Sequence, residues 1–232
     1  MHGYGQFCPV AQALEVIGER WTLLVVRELL AGSSRFNEIH RGVPLMSPTL
    51  LSQRLRRLGR AGIVERGAHG EYVLTAAGRE LSGVVDGLGL WGLRWARDEI
   101  RPEHLDPSTL VWDMRRRFDH DAVPDRRIVI ELRFRGITRG HPIWWLAVDR
   151  AAVDVCLTDP GFGVDLLVDA DLRTMIMVWM GDLPLAQALR AGEVVVTGAP
   201  ALERAFPSWL LLSVVAGVER PGSAARLALG TG

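Results

Sequence analysis

The 232-residue chain contains no lysine, and all 27 of its Lys+Arg residues are arginine. Arginine identity by itself is therefore no sign of phosphate recognition, because every basic surface residue other than histidine has to be one. Cysteine is almost as scarce, with only Cys8 and Cys156. Two thiols so far apart exclude a disulfide framework and the paired spacing of a structural zinc site, and no other metal or cofactor motif stands out. No apolar run reaches the roughly 18 residues of a membrane span. The opening MHGYGQFCPV has neither the basic nor the apolar region of a signal peptide. The expectation is a cytoplasmic protein with no membrane partner. Net charge is missing too, since 27 acidic residues balance the 27 basic ones.

Charge is concentrated locally instead. From residue 35 to 66 there are seven arginines (35, 41, 54, 56, 57, 60 and 66) against two glutamates, whereas from residue 105 onward 14 arginines face 16 acids. One segment can meet a polyanion and the other is slightly acidic.

Around that basic segment the apolar spacing is helical. Val10, Ala13, Leu14 and Ile17 predict a first helix that Gly18 interrupts. Trp21, Leu24, Val25 and Leu29 predict a second, and Phe36 and Ile39 a short third before Gly42. Ser47 is a good N-cap and Pro48 a good first residue for a fourth helix. On it Leu51, Leu55 and Leu58 share one face; Thr49, Gln53, Arg56 and Arg60 lie nearly opposite, with Ser52 and Arg57 beside them. Gly62 ends this helix, and IVER, a GAHG turn and EYVLT predict a two-stranded hairpin. Helix, helix, helix, helix, strand, turn, strand is the order of a winged helix-turn-helix. Such a fold inserts its recognition helix into the major groove of double-stranded DNA. Taken alone, the basic helix reads as a solvated amphipathic surface; the order of the elements around it is what favours DNA.

The segments CPVAQALEVIGERWTLLVVRELLAG, RFNEIH, SPTLLSQRLRRLGRAGIVER and EYVLTAAG together resemble the HxlR-type bacterial transcriptional regulators, over about residues 8 to 100. The resemblance implies a homodimer on a near-palindromic operator, paired through the N-terminal helix and a long helix over 76–100 that carries Trp91 and Trp95; these two tryptophans also suit an ordinary core. The implied DNA-facing set is Ser47, Thr49, Ser52, Gln53, Arg56, Arg57, Arg60, Arg66 and His69. Thr49 and Gln53 would read base edges, and Arg56, Arg57 and Arg60 would hold phosphate or guanine. The wing departs from the family, whose longer loop usually contains proline and a basic residue; Arg66 and His69 are the candidates left. Cys8 stands where some members carry a redox-sensing cysteine, and it also reads as a small residue packing the first helix.

RPEHLDPSTL, residues 101–110, reads as a linker between a domain over 1–100 and another over 111–220, with a flexible tail at 221–232. In the second half, RIVIELRFRG, PIWWLAVD, AVDVCLTD, VDLLVDA and EVVVTG read as strands. DLRTMIMVWMG, LPLAQALRAG and ALERAFPSWLLLSVV read as helices, giving an α+β unit with a mainly antiparallel sheet. Neither Asp119-His120-Asp121 nor the trio Ser208, His141 and Asp149 has the context of a metal or catalytic site. An enzyme is the least supported class. Apolar bulk is plentiful, and the order PIWWLAVD, VDVCLTDPG, VDLLVDADLRTM, LPLAQALRAGEVVVTGAPALERAF resembles the sterol-carrier-protein type of lipid-binding fold over about residues 108–217. That resemblance implies a hydrophobic tunnel, with Trp112, Trp144, Phe162, Met175, Trp179 and Trp209 as the candidate lining; the same residues fit a plain core. The combined expectation is a dimeric regulator whose second domain binds an apolar effector. A lipid carrier with an inactive helix-turn-helix and a regulator switched at Cys8 are the alternatives.

Overall fold

The computed structural model describes residues 3–96 and 100–219. The chain divides between Trp91 and Gly92 into two units. In the first, α1 spans Pro9–Ile17, α2 Thr22–Leu30, α3 Phe36–Gly42 and α4 Pro48–Arg60. Strands β1 (Val64–Arg66) and β2 (Tyr72–Leu74) pair antiparallel, Val64 opposite Leu74, and α5 (Ala76–Glu80) and α6 (Ser82–Trp91) follow. This is a winged helix-turn-helix.

Each boundary has a local cause. Glu38 of α3 reaches back to accept the backbone N–H groups of Ser34 (2.9 Å) and Arg35 (3.0 Å), tying off the start of its own helix. Ser47 Oγ accepts from Leu50 N at 3.2 Å, and Pro48 fills the first position of α4. At the far end Gly62 takes φ +71°, so that Ile63 N can bond Leu58 O and Gly62 N can bond Gly59 O, each at 3.0 Å. This is the left-handed termination that glycine permits.

The core of this unit joins Val25, Val26 and Leu29 of α2, Ile39 of α3, Leu51, Leu55 and Leu58 of α4, and Ile63, Val64 and Leu74 of the wing. Two close approaches fix its geometry. Glu28, 1% exposed, packs against Gly42 so tightly that a Cβ there would sit 1.9 Å from the carboxylate. Arg27 binds that carboxylate at 2.9 Å and the Gly42 carbonyl at 3.0 Å. After the wing, Thr75 Oγ1 caps α5 through Gly78 N, and a Cβ on Gly78 would come within 2.2 Å of the Ile63 carbonyl oxygen.

The single helix expected over 76–100 is instead broken. It divides at Leu81 into α5 and α6 and passes into a π-helical turn at Gly92–Ala96. Gly83, Gly87 and Gly89 lower the helix propensity of the stretch, and no residue of α6 is buried to offset that loss. Residues 97–99 and the tail expected at 221–232 lie outside the described residues.

In the second unit a 3-10 turn, Pro102–His104, precedes α7 (Pro107–Met114). The segment 101–110, read as a linker, thus contains the first turn of a helix, begun by Asp106 accepting from Ser108 N at 2.9 Å. A five-stranded sheet follows, formed by β3 (Ile128–Arg135), β4 (Ile143–Val148), β5 (Val153–Cys156), β6 (Leu166–Asp171) and β7 (Val194–Gly198) in the order β5-β4-β3-β6-β7. Only the β3–β6 pair is parallel. Helices α8 (Leu172–Trp179), α9 (Leu185–Arg190) and α10 (Pro200–Trp209) complete it. The closing helix stops at Trp209, short of the expected ALERAFPSWLLLSVV. One sheet face, with Ile128, Ile130, Leu132, Leu146, Leu166 and Val168, is buried in a core shared with Met114, Met175, Trp179, Phe206 and Trp209.

Replacing Gly78 by alanine is expected to destabilise the first unit by about 1–3 kcal/mol, because the neighbour that must give way is main chain. Thermal unfolding followed by circular dichroism, which should show a lower midpoint than the native chain, checks this.

Candidate nucleic-acid interface

Burying Leu51, Leu55 and Leu58, each 2% exposed or less, turns the opposite side of α4 outward. Thr49, Gln53, Arg56 and Arg60 are exposed on it, and Ser52 is half-buried at its flank. Arg56 and Arg60 make no hydrogen bond or ion pair among the described residues, so their guanidinium groups are free to meet a polyanion. Ser47 is exposed but its hydroxyl is engaged as the N-cap.

Arg57 stands differently from the expectation. Its side chain is 24% exposed, pairs with Glu19 and donates to the Glu15 carbonyl. Arg54, which the sequence reading left out of the site, pairs with the other oxygen of Glu19 and donates Nε to Arg20 O at 3.2 Å. Both arginines sit between the buried and the outward faces, towards the turn that joins α1 to α2. Glu19 was missed because nothing in the spacing of the sequence links it to residues 35 and 38 positions later.

In the wing, the Arg66 guanidinium carbon lies 3.8 Å from the Tyr72 ring centroid, and its Nη2 donates to the Tyr72 hydroxyl at 2.6 Å. His69 is exposed at the tip of the turn, with its backbone N–H bound by Glu71 at 2.9 Å. Cys8 is a free, half-buried thiol at the N-cap of α1.

The residues expected to line a tunnel in the second unit are mostly core. Trp112, Trp144, Met175, Trp179 and Trp209 are all under 9% exposed, and none of them lines the cleft at Phe162 or the one at Leu189 and Val195. Trp179 Nε1 donates to Asp113 Oδ2 at 2.7 Å, and Trp144 Nε1 to the His141 carbonyl at 2.8 Å. Phe162 alone of the set is exposed, at 65%. It borders an open cleft of about 450 Å³ with Arg126, Arg127, Val129, Asp149 and Asp165.

The Arg127 guanidinium lies 5.0 Å from the Phe162 ring and 3.7 Å from Asp149, and Arg126 pairs with Asp165 at 2.9 Å. The backbone N–H groups of Ala151 and Ala152 donate to Asp149 and hold its carboxyl below the usual range, with smaller help from Arg127 and His120. Asp119 accepts from the backbone of Asp121 and Ala122, and His120 bonds the Asp149 carbonyl, so this trio closes a turn. Ser208 Oγ donates to the Ala205 carbonyl at 2.7 Å. Among the described residues no cluster of three or more His, Cys, Asp or Glu could hold a metal ion, and no helix is long and apolar enough to cross a membrane.

A half-buried helix with an outward basic and polar face, capped before a short wing, defines a helix-turn-helix DNA-binding protein. The HxlR-like helix-turn-helix family matches residues 16–100. The uncharacterised HTH-type regulator Rv3095 of Mycobacterium tuberculosis is 43% identical over 117 residues, covering 44% of this chain and 73% of that protein. YvaP of Bacillus subtilis is 34% identical over 108 residues, covering 44% and 96%. The chain belongs to the HxlR-like family and is a helix-turn-helix transcriptional regulator whose partner is DNA. The solved quinone-bound YodB of B. subtilis is 34% identical, covering 37% of this chain and 97% of that one, with a TM-score of 0.34.

Because Asp149 titrates lower in the folded than in the unfolded chain, the stability it contributes is complete above the ordinary carboxylate range. That contribution is lost as pH falls through the depressed value. An NMR titration of its carboxyl carbon should give a midpoint below that of a free aspartate, about 3.9.

Proposed function

We propose that the chain is a homodimeric regulator that reads a near-palindromic operator through α4, and that its second unit, of the sterol-carrier-protein type, senses an apolar small molecule. The observation that carries the DNA-reading part is the exposed row Thr49, Gln53, Arg56 and Arg60 on a helix fixed by its leucine face. Thr49 and Gln53 stand in the first half of α4, from which the side chains of a recognition helix reach base edges, and Arg56 and Arg60 follow where phosphates lie.

Pairing is supported by apolar surface. Val84, Leu88 and Trp91 of α6 are 43–50% exposed, and Val10 and Leu14 of α1 are 66% and 42% exposed. A two-fold dimer places two copies of α4 about 34–36 Å apart, one turn of the duplex. Sensing is supported by the sheet-and-helix build of the second unit and by the cleft at Phe162. There an exposed ring beside the Arg127 guanidinium, in a cleft whose two arginines are matched by Asp149 and Asp165, offers an apolar molecule a surface to stack on. A ligand that prefers one arrangement of the second unit would shift the spacing of the two recognition helices and so change operator affinity by linkage.

The test is a titration against labelled duplex from upstream of the protein's own gene and against a scrambled duplex, at several salt concentrations. A specific complex is expected to outlast the scrambled one as salt rises. Arg56→Gln and Arg60→Gln should each lower the slope of log affinity against log salt by about 0.9 and weaken both duplexes alike. Gln53→Ala should instead relax sequence preference by about 1–3 kcal/mol at the base pair it contacts. Equal and weak binding of both duplexes by the native chain would refute the reading. Leu88→Glu should raise the monomer fraction in sedimentation; an unchanged mass distribution would remove α6 from the dimer interface.

A further inference from the structure

We propose that Glu19 is the positioning residue of the recognition helix. It draws Arg54 and Arg57 away from the DNA and clamps α4 to the turn between α1 and α2, leaving Arg56 and Arg60 as the arginines of α4 that meet phosphate. The inference rests on the DNA-binding reading above.

Four observations converge. Both carboxylate oxygens of Glu19 are used, Oε2 by Arg54 and Oε1 by Arg57, so that one side chain holds two guanidinium groups three residues apart on the same side of α4. The same guanidinium groups also donate to main-chain oxygens, Arg54 to Arg20 and Arg57 to Glu15. These carbonyls lie at the negative end of α1 and in the turn beyond it, where cationic donors are favoured. The three side chains are only 18–24% exposed. A phosphate would have to break charge-assisted bonds in a half-buried place in order to take either arginine. Arg56 and Arg60, one turn apart, are by contrast exposed and without such bonds among the described residues.

Charge makes the same point. An acid beside a surface that meets a polyanion repels that polyanion, so Glu19 works against affinity unless it does something else. Orienting α4 is what its bonds accomplish. The turn itself is tightly built, since Trp21 follows at φ +77° and Arg20 stacks on its ring at 5.4 Å. Three contacts from one side of α4 to this turn leave the helix little freedom to roll about its own axis. Rolling would move Gln53 and Thr49 off the base edges.

The full-length protein is tested by fluorescence anisotropy with a fluorescein-labelled duplex from upstream of its own gene and with a random 30-base-pair duplex, each across a salt series. Glu19→Gln and Arg57→Gln are each expected to weaken binding about tenfold with the salt slope unchanged. The double variant should be no weaker than either single one, because both remove the same clamp. Arg56→Gln, the comparison, should lose about 0.9 of slope. The proposal is overturned if Arg54→Gln or Arg57→Gln lowers the slope as Arg56→Gln does, or if Glu19→Gln tightens binding.

Hydrogen exchange on the DNA-free protein gives a second readout. Glu19→Gln should speed exchange along α4 while β1 and β2 keep their protection; unchanged exchange in α4 would also overturn the clamp. If the native chain binds neither duplex, the DNA-binding reading fails by itself, and the exchange measurement still decides whether Glu19 holds α4.

Discussion

The leucine face of α4 is the constraint on which the first unit turns. Leu51, Leu55 and Leu58 are removed from water against α2 and the wing, each contributing about 1.5–3 kcal/mol. Because side chains three and four apart share a face, burying these three fixes which residues look outward. The basic face is therefore a consequence of packing. Ion pairs at its flank adjust the angle of the helix but could not hold it against solvent without the core, which the three leucines supply.

Several residues in and beside the motifs have steric explanations in this fold. Gly42 leaves room for the Glu28 carboxylate, which in turn anchors Arg27 to the end of α3. Thr75 and Gly78 seat α5 on the Ile63 carbonyl, and no side chain larger than hydrogen fits there. Trp21 sits in a left-handed conformation where the chain turns from α1 into α2, and the same turn supplies the partners of Arg54 and Arg57. Motif spacing therefore records close approaches of backbone as much as it records contacts with a ligand.

The second unit shows the converse. Its tryptophans and methionines were readable as a ligand cavity or as a core, and hydrophobic composition cannot choose between them. Periodicity says which face of a helix or strand leaves water; it says nothing of whether the enclosed space is filled. Trp144, Met175, Trp179 and Trp209 pack within it, and Trp112 is buried as well. Phe162 differs because it stands on a loop between β5 and β6, where no neighbouring strand or helix covers it, and the adjacent Arg127 makes use of its ring.

Local rules settled much of the fold in advance. A serine before a proline started α4, a glycine ended it, alternating residues marked β3, and the leucine spacing separated an inward from an outward face, because each of these is decided within a few residues of chain. The same kind of signal was present but unused at Asp106-Pro107, which starts α7. Helix breaks at Leu81 and at the π turn were not legible, since they reflect how little of α6 is buried rather than its propensity alone. Which arginines of the basic segment stay free was decided by the tertiary structure alone. Arg54, Arg56, Arg57 and Arg60 are chemically alike and lie within seven residues, yet two of them are taken up by Glu19 because folding brings the α1–α2 turn beside one flank of α4. An attraction between charges depends on distance through space, and sequence separation does not encode that distance.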